Sequence, residues 1–303
     1  MSVKGKGKTG SSADLFSEVQ YAQRSLWQNL LRNLRSNPLA MVGLVLVLMV
    51  ISLAILAPWV APHDPLEVNL ENKLLPPGGE YLLGTDDMGR DLLSRCIFGF
   101  RISARTAVSV LSLACSVGLI VGGTAGYVGG RVDNLLMRLT DMFLAFPGYI
   151  LAMAIAGALG PSLNNAIVSV ATVWWPWYAR LIRGQVLSVK QNLYIDAARI
   201  IGAGDVRIVL RHILPNCMTP LLVLATMDFG IVILVMANLS FLGLGAQPPE
   251  PELGYMIARG RLYFMNQWWV ATVPGIAIFL MALGTNLTGD AWRDILDPRA
   301  QSR

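Results

Sequence analysis

Few residues in this chain have the type and spacing that bond-making chemistry needs. His63 and His212 stand far apart, and neither shares a cluster with acids or with a nucleophile. Cys96, Cys115 and Cys217 are odd in number and scattered, so they imply neither a disulfide framework nor a metal site. No Walker-type phosphate loop is present, so the chain carries no ATPase of its own, and no catalytic residue is assigned. Two acids lie in or near long apolar segments. Asp228 is surrounded by Leu, Met, Phe and Ile, with no basic neighbour at helical spacing. A charge at the middle of a bilayer costs about 2.5–3.5 kcal/mol on insertion scales, so this carboxylate must face protein or water. It either lines a translocation path, meeting polar or cationic parts of a solute, or is a hydrogen-bonded acid between helices. Asp141 follows Arg138 by three residues, and a local i, i+3 pair is expected. Neither acid is matched by a histidine or a second buried acid, which counts against a proton-coupled carrier. What remains is mechanical work.

The stretch suited to such work runs from Tyr194 to Asn216, YIDAARIIGAGDVRIVLRHILPN. Tyr194, Ala197, Ala198 and Ile201 recur at i, i+3, i+4 and i+7, one face of a short helix. Asn192 is its expected N-cap and Gly202 its expected stop. Asp205 is then expected to cap a second helix with Val206, Val209, Leu210 and Ile213 on its apolar face, ended by Pro215. Two alanines stand where an anchoring face would carry large side chains, so another surface can approach closely. The alternative is a surface hairpin that merely joins two spans.

The elements around it belong in a bilayer. The chain has 303 residues, 54% hydrophobic and 14% charged, with mean hydropathy +0.53. Soluble domains carry about 25% charged residues. The net charge of +5 comes from residues that flank apolar runs, so it marks topology and not a nucleic-acid surface. Six spans are read: 38–61, 102–128, 135–159, 164–181, 220–244 and 268–287, each near the ~20 apolar residues a helix needs to cross. Trp174, Trp175, Pro176, Trp177 and Tyr178 mark the fourth as holding an aromatic belt or a break. Residues 1–12 are expected to be disordered. Within 13–34, Trp27, Leu30, Leu31 and Leu34 beside Arg24, Arg32 and Arg35 predict a helix lying on membrane lipid. Basic residues gather in the arm, in the Tyr194–Asn216 region and in the tail, which places both termini in the cytoplasm. Gly118, Gly122, Gly126 and Gly130 form a small-residue stripe on the second span, a seam for close helix packing within this subunit or with another.

Asp196-Ala197-Ala198, three residues, Gly202, nine residues, then His212 two before Leu214-Pro215 resembles the EAA loop of ABC importer permeases. Asp196 stands for the usual glutamate and His212 for the usual isoleucine. Gly84-Thr85-Asp86-Asp87-Met88-Gly89-Arg90-Asp91, the run from Ser240 to Pro249 and the segment NLTGDAWRDILDP from Asn286 resemble the second permease of the peptide/nickel class, which includes dipeptide, oligopeptide and glutathione importers. The resemblance implies an all-α integral membrane protein with the type I importer permease fold, one N-terminal helix plus a five-helix core. It implies a cytoplasmic arm at 1–37, a first transmembrane helix at 38–61 and a periplasmic segment at 62–101. A permease core at 102–289, with a coupling loop at 182–217, and a cytoplasmic tail at 290–303 complete it.

The same resemblance implies that Tyr194, Asp196, Ala197, Ala198, Arg199, Gly202, Leu214 and Pro215 couple the chain to an ATPase. The implied partners are a second homologous permease, two ATP-binding subunits that hold ATP and Mg, and a periplasmic or lipid-anchored solute-binding protein. No cofactor or metal is expected on this chain, and its place is the cell inner membrane. The alternative, an ion-coupled secondary transporter, needs mid-membrane ion ligands and broken helices in two matching halves, and neither is evident in the sequence.

Overall fold

The computed structural model describes residues 38–296, and every regular element among them is helical. The expected interfacial helix within 13–34 and the segment 1–12 lie outside the described residues. Helix α1, Pro38–Val60, is apolar all round, and most of its large side chains are exposed, as lipid contact demands. Its buried positions are mostly small: Ala40, Gly43, Ala54 and Ala57. They let it lie against α10, Trp269–Leu296, where a Cβ at Gly43 would meet Leu287 Cβ at 2.6 Å. The expected tail at 290–303 is therefore helical as far as Leu296.

Helix α2, Leu92–Val128, starts ten residues before the expected span and inside the expected external segment 62–101. Asp91 explains the early start: its carboxylate accepts from the Ser94 N–H at 2.8 Å and caps the helix. At 1.5 Å per residue α2 is about 55 Å long, well beyond a hydrocarbon core of about 30 Å. Its first turns sit instead under a folded cap built from residues 61–91. Asp86 is the hub of that cap. It accepts from the Arg90 Nε at 2.7 Å and from the backbone N–H groups of Met88 and Arg90 at 2.8 and 3.0 Å. Arg95, 1% exposed, holds its Nε 3.4 Å from the same carboxylate and donates to the Pro65 carbonyl at 2.8 Å. Arg259 binds Asp87 across 172 residues, and that bond raises the affinity of Arg259 for its proton. Gly89, at φ +74°, presses on the Asn69 carbonyl, where no Cβ fits. Asp86→Ala would leave Arg95 buried without its acid and Arg90 with only Asp87, 4.0 Å away. Breaking one side of a buried ion network costs about 3–5 kcal/mol, so the thermal midpoint of the detergent-purified protein should fall clearly. An unchanged midpoint would show that the cap does not depend on this carboxylate.

The expected third span, 135–159, is two helices. Helices α3, Gly130–Leu144, and α4, Gly148–Leu159, meet at 87°. Pro147 lacks an N–H and disfavours helical backbone at Phe146, so the chain turns there. Helix α5, Leu163–Lys190, runs unbroken through Pro176 and nine residues past the expected end at Leu181. Its aromatic cluster is neither a belt nor a break. Trp175 is buried edge-on to Phe143 at 5.4 Å, Tyr178 is fully buried, and only Trp177 faces outward. The expected local pair of Asp141 with Arg138 is replaced by a bond from Arg180 to Asp141 at 2.7 Å, and Arg183 grips Asp133 through both its Nε and a terminal nitrogen. These bonds clamp α3 onto α5.

The glycine stripe resolves within the subunit. A Cβ at Gly118 would strike Tyr178, one at Gly122 the Ala179 carbonyl, and one at Gly126 Val186, all on α5. Gly130, the fourth member, faces open space at φ +57°. After α5 come α6, Leu193–Ile200, and α7, Asp205–Ile208. A single π-helical turn, Val209–Ile213, then leads into α8, Leu214–Phe241. Helix α9, Leu253–Gly260, is capped by Glu252, which accepts from the Tyr255 N–H at 2.8 Å, while burial pushes that carboxyl above the usual range. Among the described residues four stretches are long and apolar enough to cross a membrane, or five if the bent pair α3–α4 is one span. Helix α5 is long enough, but Arg180, Arg183 and Lys190 lower its apolar character.

Candidate functional site

Helices α6 and α7 stand at the end of the bundle opposite the cap. Asn192 occupies the N-cap position of α6, but its side chain donates back to the Val189 carbonyl and makes no cap bond. The stop at Gly202 is as the sequence predicts. At φ +87° it lets the Ala203 N–H reach the Ala198 carbonyl at 3.0 Å, while its own N–H reaches Arg199 at 2.9 Å. This paired closure satisfies two orphan carbonyls of the helix and fixes its end.

Of the face expected to be docked upon, Tyr194, Ala197 and Ile201 are exposed and Ala198 alone is buried. Ile195 and Ala198 point into the protein, while Leu193, Ile200 and Ile201 are 86%, 86% and 84% exposed. Tyr194 is half-exposed and Ala197 exposed. Apolar residues occur on both sides of α6, so periodicity alone cannot say which side is anchored. In the second helix Ile208 and Ile213 are buried, whereas Val206 and Leu210 are exposed. Large apolar side chains of α6, α7 and the turns that follow them are thus left exposed, above a base of Ile195, Ala198, Ile208 and Ile213.

Asp205 is the first residue of α7, and not its cap; its carboxylate accepts from the Tyr127 hydroxyl at the end of α2. Lys190, at the end of α5, donates to the Tyr127 carbonyl at 2.6 Å and lies over its ring. Asp196 and Arg199 form an exposed i, i+3 pair at 3.5 Å, worth little by itself. Asn216 donates to the Tyr194 hydroxyl at 3.4 Å.

Pro215 does not end the helix. The π turn widens the chain ahead of it, with the Leu214 N–H bonding Val209 five residues back. That shift relieves the clash of the prolyl ring with the preceding turn and absorbs its missing donor. Leu214 and Pro215 therefore lie on a continuous helical path from the exposed surface into α8.

Asp228, halfway along α8, is partly buried, and its carboxylate accepts from the Tyr178 hydroxyl at 2.8 Å. Tyr178 also packs on Gly118, so this acid connects α8 to the α2–α5 seam. Asp228 and the loop residues are separate features, joined only along α8. No group of three or more His, Cys, Asp or Glu residues that could hold a metal occurs among the described residues. The contacts of Tyr127 and Lys190 carried no sequence signal, since the Tyr127 hydroxyl meets Asp205 78 positions away and Lys190 meets Tyr127 63 positions away.

Residues 118–302 match the family described as the inner membrane component of binding-protein-dependent transport systems. Residues 25–77 match the N-terminal transmembrane domain of oligopeptide transport permease C. The chain is 44% identical to the probable D,D-dipeptide transport system permease DdpC of Escherichia coli K12, over 88% of its own length and 90% of that protein. It is 43% identical to the di/tripeptide permease DppC of Pseudomonas aeruginosa (92% and 93% covered) and 41% identical to the nickel permease NikC of Escherichia coli K12 (84% and 92%). Among solved structures, an inward-facing MetNI methionine ABC transporter superposes with TM-score 0.53 at 19% identity, covering 67% of this chain and 97% of that one. That likeness shows a shared permease fold. None of these comparisons supports the ion-coupled alternative. Relatives of this identity and coverage, with several apolar helices long enough to span, make the chain a multi-pass membrane permease that belongs to the family of inner membrane components of binding-protein-dependent ABC transport systems.

Proposed function

We propose that this chain is the second-type permease of an ATP-driven importer that carries peptides or related small solutes delivered by a solute-binding protein. The observation that supports it most is the exposed apolar side chains of α6 and α7, set over buried Ile195, Ala198, Ile208 and Ile213 and joined through the π turn to α8. In this reading the exposed side chains seat in a groove of an ATP-binding subunit, with Tyr194, Asp196, Ala197 and Arg199 around them. Ala198 and Gly202 keep α6 stiff. ATP and Mg reside on the two partner ATPases, and this chain binds no cofactor. When the ATPase pair closes, α6 is pulled, and the pull passes through Leu214 and Pro215 into α8. The Tyr127–Asp205 bond carries the same displacement to α2, and Lys190 carries it to α5. Counting α5 and the bent pair as spans gives six, with both termini and α6 in the cytoplasm and the cap outside. A second, homologous permease completes the path, and Asp228 lines it with Tyr178 holding its carboxylate. This is alternating access by rigid-body movement driven from outside the chain.

The test is reconstitution of the chain with its partner permease, ATPases and binding protein in liposomes. Peptide uptake is expected only with ATP and the loaded binding protein. Uptake that persists without the ATPases and follows an ion gradient would refute the proposal.

A further inference from the structure

At the cap end of the bundle a cavity of about 610 Å³, lined by both polar and apolar side chains, lies between α2, the start of α5 and the loop before α9. Its lining carries two charges, Arg105 on α2 and Glu250 on the loop. Neither has an ion-pair or side-chain hydrogen-bond partner among the described residues. Arg90, with Arg95 on α2 and Arg259 on α9, lies within ion-pair distance of an acid of the cap; Arg101, one turn before Arg105, has no such pair among the described residues, but it does not line this cavity. Arg105 is the fourteenth residue of α2, about 20 Å along the helix, beyond the turns that the cap covers. An unpaired guanidinium facing out at that depth is costly unless it meets water or an anion.

The rest of the lining sorts by hydrogen-bonding capacity. Ser162 makes no cap bond at the start of α5, and the Asn164 amide has no hydrogen-bond partner among the described residues, so both can donate into the cavity. Thr106 and Ser109 give their hydroxyl hydrogens to the Ile102 and Arg105 carbonyls, which leaves oxygen lone pairs for an incoming donor. One cation and one anion, with neutral donors and acceptors in the same cavity, suit a small zwitterion. The volume falls within the roughly 300–1,000 Å³ of small-molecule sites.

We infer that this cavity is a receiving site for the charged termini of a short peptide, with Arg105 taking the carboxylate and Glu250 the ammonium as the solute enters the permease. The inference rests on the proposed function, which places this end outside the cell and makes peptides the cargo. A guanidinium holds a carboxylate through two parallel N–H bonds, whereas a lysine offers only a point charge.

The experiment uses the complete reconstituted importer and measures dialanine uptake together with ATP hydrolysis stimulated by the loaded binding protein. Arg105→Gln is expected to lower uptake roughly tenfold or more, at unchanged complex assembly and with stimulated hydrolysis within about twofold. Arg105→Lys should recover most of the loss, and Glu250→Gln should raise the KM with little change in kcat. Uptake by Arg105→Gln within about twofold of the unsubstituted importer would overturn the inference, as would a lysine variant as defective as the glutamine one. If Arg105→Gln fails to assemble, Glu250→Gln on the exposed loop decides: an unchanged KM overturns the site. Failure of the functional reading looks different, because the unsubstituted importer would then take up no peptide, and both fall together.

Discussion

Replacing Gly122 with leucine is expected to abolish the assembled permease. A Cβ at this position would land on the Ala179 carbonyl oxygen, with the Ala179 Cα also within 2.9 Å, so the obstacle is backbone and not a movable side chain. Gly118 and Gly126, one turn to either side, also lie against α5, where an added Cβ would come within 2.4 and 2.9 Å of it, so the helices cannot pivot about one point to make room. They would have to separate along the whole seam. Overpacking a well-packed core costs about 1–3 kcal/mol; a clash with the main chain of α5 belongs at or above the top of that range. Close contact is the main source of helix association in lipid, where no hydrophobic drive compensates. The measurement is the yield of monodisperse protein extracted from membranes. Gly123→Leu is the control, because nothing lies within 4 Å of a Cβ there. Equal yields for the two variants would show that the seam tolerates a side chain.

The second large effect concerns work and not folding. Ile200→Asp combined with Ile201→Asp should leave the subunit in the membrane at normal level, since both side chains are more than four-fifths exposed and neither belongs to the anchored base. Burying an isoleucine against a partner contributes about 1.5–3 kcal/mol, so losing two and adding two carboxylates should weaken docking by roughly a hundredfold or more. Uptake is expected to fall in proportion, and the loaded binding protein should no longer stimulate ATP hydrolysis. Uptake and hydrolysis near normal levels would mean that this surface is not where force enters. Ile195→Asp should behave differently, because that residue is fully buried beneath α6 and its loss should reduce the amount of folded protein.

Apolar length made α1, α8 and α10 legible from the sequence, and the small residues of α2 marked the seam. Its partner was not legible, because α5 carries no matching stripe and meets the glycines with Tyr178, Ala179 and Val186. Helix α2 was read ten residues short because Arg95 and Arg101 dilute its apolar character, although Asp91 and Ser94 already held the cap. Pro215 was read as a stop because a proline ordinarily is one; a five-residue π turn is a tertiary accommodation that local propensity does not register. Position, helical character and the glycine stop of the α6 loop were all visible. Which face is anchored was not, since Leu193, Ile195, Ala198 and Ile201 offer apolar surface on both sides. Asp141 illustrates the same limit: a local partner was available in Arg138, and the fold chose Arg180, 39 residues away.

The central claim is that the exposed tip of α6 is where an ATP-hydrolysing partner takes hold. The direct measurement is crosslinking from Ile201→Cys in the complete importer, with Cys96, Cys115 and Cys217 replaced by serine or alanine. A short bifunctional reagent is expected to join this position to an ATP-binding subunit, with a yield that changes when ATP is added. No adduct with that subunit, or labelling of Ile201→Cys in intact cells by a thiol reagent that cannot cross the membrane, would contradict the account.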